Sequence, residues 1–116
     1  PAVALVADPP DMRPLFARAA AIAVPTSARA GTRLKVLQAL AAGRPVVSTP
    51  EGAAGLGLEA GRHLLVAPLV EPFADALADA LLDAPLRERL VLAGREAAAR
   101  RDWRHCLPAL DAVYPP

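Results

Sequence analysis

Two loops hold the residues best suited to chemistry. The first, PTSARAGT from Pro25 to Thr32, offers the hydroxyls of Thr26 and Ser27, the cation of Arg29, the flexible Gly31, and Thr32 as a candidate helix cap. The second, TPEGAAGLG from Thr49 to Gly57, has three glycines that let a ligand approach the backbone closely. After the first loop comes a helix whose opening turn carries Lys35, the only lysine in a chain whose other basic residues are all arginine. The unpaired N–H groups and positive dipole end at a helix start suit a phosphate or another anion. A lysine there is a compact point charge, and Gln38 can both donate to and accept from hydroxyls such as those of a sugar. Helical spacing sets Lys35 and Gln38 apart from an inward stripe of Leu34, Leu37 and Ala41, and points them toward one crevice. The same loops also suit plain turns, and the same two side chains suit a solvated helix back; spacing alone does not choose.

These loops must be held by strands. Apolar runs at 2–7, 21–24, 45–49 and 63–67 read as short strands buried on both faces, with Pro45 tolerated at a strand's first position. Between and after them, helices are expected near 11–19, 32–42, 71–83, 85–101 and 105–113. Asp11 is the expected N-cap of the first, with Leu15, Phe16 and Ala19 facing inward. Gly43 stands where a left-handed C-cap closes the second. Phe73, Ala76, Leu77, Ala80 and Leu81 give the third its apolar stripe opposite Asp75, Asp79 and Asp83. Leu86, Leu90, Ala93 and Ala97 do the same for the fourth, and Trp103, Leu107, Leu110 and Tyr114 share a face of the last, with Pro108 in its opening turn. The alternation predicts an α/β fold: a Rossmann-like parallel sheet of about four strands with helices on both sides. Ligands of such sheets gather at the carboxyl ends of the strands, where the two loops become neighbours.

Composition narrows the functional classes. The chain has 116 residues, which fits one core, and its 13 basic and 12 acidic residues nearly cancel. No broad field therefore recruits nucleic acid, and any anion binding is local. A single cysteine, Cys106, excludes an internal disulfide framework and points to a reducing cytosol. No apolar run reaches the roughly 18 to 20 residues of a membrane span. The run after Pro1 needs neighbouring strands, so the natural protein is expected to continue upstream, and these residues alone to expose an aggregation-prone edge.

GTRLKVLQALAAGRPVVSTPEGAAGL resembles the nucleotide-sugar-binding segment of the retaining glycosyltransferases of family 4, also called glycosyl transferases group 1. The likeness extends upstream through VALVADPPDMRPLFARAAAIAVP and downstream through HLLVA to Asp102-Trp103. It implies the distal part of the C-terminal, donor-binding domain of a GT-B enzyme, in which two Rossmann-like domains face across a cleft. The acceptor-binding domain and the upstream basic residues that stabilise the leaving diphosphate would lie outside this chain. The resemblance implies a nucleotide-diphosphate sugar as donor, a glycan or lipid-linked acceptor, retention of configuration, and neither cofactor nor metal. It also implies a cytoplasmic protein, with peripheral membrane association through the other domain as an option. Family members commonly carry two glutamates spaced as Ala30 and Gln38 are here, the earlier contacting the sugar and the later the ribose. Gln38 would keep the ribose role with an amide, at an expected cost of about 1 to 3 kcal/mol for the lost charged acceptor, and Ala30 would contribute no side chain.

On this reading Ser27, Arg29, Gly31, Thr32, Lys35, Gln38, Thr49, Glu51 and Gly52 contact the donor, and none transfers a proton. Alternatives are a degenerate, non-catalytic nucleotide-sugar-binding module, which Ala30 and Gln38 favour, and a related two-domain epimerase. Glu51 also suits a structural role at Gly52. His63 and His105 read as structural or surface groups, Cys106 as a small packed residue, and Trp103 as a helix anchor.

Overall fold

The computed structural model describes residues 2–28 and 33–113. Its elements are α1 (Arg13–Arg18), β1 (Ile22–Val24), α2 (Leu34–Ala41), β2 (Val46–Ser48), α3 (Pro50–Ala53), β3 (Leu65–Val66), α4 (Glu71–Leu82), α5 (Ala84–Ala99) and α6 (Trp103–Asp111). The strands form one parallel sheet in the order β1-β2-β3, with Ile22 opposite Val46, Val24 opposite Ser48, and Ser48 opposite Val66.

The central strand organises the core because neighbouring residues face opposite sides of a sheet. Val46 joins Phe16, Val36, Ala39, Leu40 and Leu64 on one side, while Val47 joins Ala67, Phe73 and Ala80 on the other. Both valines are fully buried, which stabilises the fold by about 1.5 to 3 kcal/mol each. Helix α2 packs on α5, and α4 covers β2 and β3. Helix α2 ends in a Schellman arrangement: Gly43 adopts φ +74°, its N–H donates to the Leu40 carbonyl (3.0 Å), and the Arg44 N–H donates to the Ala39 carbonyl (3.1 Å). The α/β class, the parallel sheet and this cap are as the sequence predicts.

Several local expectations are corrected. Residues 2–7 form no strand, and Val3 and Leu5 are 82% and 93% exposed. A strand needs a partner, and β1 pairs only with β2. The sheet therefore has three strands among the described residues, not four. Met12, not Asp11, is the N-cap of α1. The Asp11 carboxylate accepts from the Arg13 N–H (2.9 Å) and from its guanidinium (3.0 Å) instead, and that side-chain bond holds its pKa below the usual value. In α2 the buried stripe is Val36, Ala39 and Leu40, whereas Leu34 is exposed. That helix, LKVLQALA, is apolar on most of its circumference, so its pattern fits two stripes, and the one that packs against Phe16, Val46 and Leu64 is buried. Helix α6 starts at Trp103, capped by the Asp102 carboxylate on the Arg104 N–H (2.8 Å), and carries Pro108 inside. Trp103, Leu107 and Leu110 are exposed along it, as is Cys106, so neither the tryptophan anchors nor the cysteine packs. Tyr114 lies outside the described residues.

Among the described residues no helix is long and apolar enough to cross a membrane.

Candidate functional site

The carboxyl ends of β1 and β2 place the two loops side by side, and Thr49 joins them. Its N–H donates to the Val24 carbonyl (3.3 Å), continuing the ladder one residue beyond β2. Its hydroxyl donates to the Thr26 carbonyl (2.5 Å) and accepts from the Gly52 N–H (3.2 Å). Thr49 is thereby the N-cap of α3, with Pro50 in the first turn. This short helix is absent from the sequence reading, although a threonine followed by proline and an acidic residue is a legible start signal.

Above the join is a pocket of about 320 Å³ lined by Val24, Thr26, Arg33, Leu34, Lys35, Val36 and Gly52. Two cations therefore line one cavity at the sheet's carboxyl rim. Arg33 is the residue that sequence reasoning missed. It is the N-cap of α2, with φ +55°, and its Nε donates to the Glu51 carbonyl (3.1 Å). The guanidinium thus bridges the start of α2 and the loop after β2. The signal for it was only its position, two residues before Lys35. Lys35 is exposed and also reaches a second groove of about 530 Å³, which runs beside β1 past Phe16 and Thr26.

Gln38 does not share the rim pocket. It lines a groove of about 630 Å³ with Asp11, Met12, Arg13 and Phe16, so the expected single crevice for Lys35 and Gln38 is corrected to two adjoining ones. Met12 and Phe16 line both this groove and the one beside β1. The remaining expected residues are placed as follows. Ser27 is exposed after β1, Glu51 is half-buried, and Gly52 is buried at the pocket floor. Thr49 is 1% exposed with both its hydroxyl hydrogen and an oxygen lone pair engaged. Arg29, Gly31 and Thr32, with Ala30, lie outside the described residues.

Two further side chains fix the segment between α3 and β3. Arg101 donates through Nε to the Leu56 carbonyl (3.1 Å) and through Nη1 to the Ala97 carbonyl (2.7 Å), tying the glycine loop to the end of α5. His63 is buried and accepts from the Glu59 N–H at Nδ1 (2.9 Å), the structural role expected of it. Among the described residues no group of three or more His, Cys, Asp or Glu side chains is arranged to hold a metal ion.

The chain is thus a parallel α/β domain in which an arginine and a lysine line a pocket at the carboxyl rim of the sheet, a placement that suits an anion. The family model for glycosyl transferases group 1 matches residues 2–83, and the chain belongs to that family. No curated protein sequence matches it. Family membership gives the chain a glycosyltransferase-type function and implies a nucleotide-sugar donor.

Proposed function

We propose that this chain is the donor-binding part of a retaining glycosyltransferase that moves a sugar from a nucleotide-diphosphate donor to a glycan or lipid-linked acceptor. The observation that carries this reading is the convergence of Arg33 and Lys35 on one rim pocket with Thr26 and Gly52. In it the diphosphate sits between the two cations, where each charge-assisted hydrogen bond contributes about 1.5 to 3 kcal/mol before solvent screening. The nucleoside extends along the exterior of α2 past Met12 and Phe16, and Gln38 meets the ribose. Ser27, Arg29, Gly31 and Thr32 complete the set proposed to contact the donor, and Glu51 holds Arg33 through its carbonyl. Nothing in this set acts as an acid or base; its contribution is orientation and charge, and the acceptor is held by a second domain outside these residues.

The test is a transfer assay on the full-length protein with radiolabelled UDP-, GDP- and ADP-sugars, alongside calorimetric titration of the same donors. Binding together with transfer supports the enzyme. Binding without transfer supports the non-catalytic module favoured by Ala30 and Gln38, and absence of binding to all three refutes both.

A further inference from the structure

We propose that Thr49 is a positioning residue, which sets the separation of the two rim loops and so the width of the pocket without touching the ligand. The inference rests on the reading above, that the rim pocket takes a nucleoside diphosphate. Thr26 and Gly52 both line the pocket, and Thr49 does not. Its hydroxyl stands between those two lining residues, donating to the carbonyl of one and accepting from the N–H of the other. A hydroxyl offers one hydrogen and two lone pairs, so its hydrogen is spent on the loop after β1 and a lone pair on α3, which follows β2.

The layer beneath leaves the second loop little freedom. Ser48 is fully buried, and its hydroxyl donates to the Thr49 carbonyl (2.9 Å). A Cβ on Gly52 would land on Ser48 Oγ and come within 3.1 Å of Thr26 Cγ2 and 3.3 Å of Thr49 Oγ1. The start of α3 is therefore packed closely on the Ser48 and Thr49 hydroxyls. Without the Thr49 hydroxyl, the Gly52 N–H and the Thr26 carbonyl each lose a partner. The loops then have to be ordered when ligand binds, and that cost is subtracted from affinity.

The experiment compares Thr49→Val, which keeps the volume and removes both hydrogen bonds, with Thr49→Ser, which keeps the hydroxyl. In the full-length protein, Thr49→Val is expected to weaken binding of UDP, GDP or ADP, whichever the wild type takes, by about 5- to 10-fold. Thr49→Ser restores it to within about 2-fold, and in turnover Thr49→Val raises the donor KM while kcat holds. In the wild type the Gly52 amide is protected from hydrogen exchange, and this protection falls selectively in Thr49→Val; an unprotected Gly52 amide in the wild type overturns the proposal even if the valine variant does not fold. Equal nucleotide affinity in wild type and Thr49→Val overturns the positioning role alone. A wild type that binds none of the three overturns the donor reading, and the positioning role with it.

Discussion

Gly94 of α5 lies so close to Leu40 of α2 that a methyl group on it would stand 2.7 Å from Leu40 Cδ2 and 3.1 Å from the His63 carbonyl oxygen. This approach seats α2, and with it Arg33 and Lys35, against the rest of the domain. Leu40 is 1% exposed, so any shift of its side chain must be made within the packed core. Alanine at position 94 gains about 1 kcal/mol of helix propensity but meets an overpacking cost of about 1 to 3 kcal/mol. Gly94→Ala is therefore expected to lower stability by up to about 2 kcal/mol, and Gly94→Val by more. Urea denaturation of the two variants measures this; a Gly94→Ala protein more stable than wild type would show that the helices can part without penalty.

Gly43 closes α2 in the left-handed region, where a Cβ costs about 1 to 2 kcal/mol, and that Cβ would meet Arg95 Cδ at 3.3 Å. Gly43→Ala is expected to lower stability by about that amount, and Gly43→Asn by less, because asparagine tolerates this conformation. Thermal melts of both variants check the order.

Gln38 lines a different groove from the rim pocket, so its substitution should separate nucleoside recognition from phosphate recognition. Gln38→Glu supplies a charged acceptor for ribose hydroxyls and is expected to tighten nucleoside diphosphate binding by about 5-fold. Inorganic pyrophosphate, which has no ribose, should bind wild type and variant within about 2-fold of each other. Calorimetry with the two ligands side by side makes the comparison.

Much of the scaffold was legible in the sequence because its signals were redundant. Helix α4 has an apolar stripe, Pro72 in its first turn and acidic residues on the opposite face, and it was expected within a residue of where it lies. The glycine at position 43 and the Val46-Val47 run were equally direct. What failed was whatever depends on a partner. The run at 2–7 has strand composition, but a parallel strand is made by its neighbours. Trp103, Leu107 and Leu110 do form an apolar face, yet nothing among the described residues covers it. In α2 the composition was too uniformly apolar to say which side turns inward. At the site, spacing left Lys35 open between a ligand contact and a solvated helix back, and Arg33 reaches the pocket from a left-handed backbone that no pattern announced.

The central claim is that Arg33 and Lys35 together hold a diphosphate at the rim. Calorimetric titration of the full-length protein and its Arg33→Ala/Lys35→Ala variant with UDP, GDP and ADP tests it most directly. The account predicts that the double variant keeps its fold by circular dichroism while its affinity falls at least about 10-fold, a loss of about 1.4 kcal/mol or more, and that added salt weakens wild-type binding more than the residual binding of the variant. Unchanged affinity in a folded double variant would contradict it.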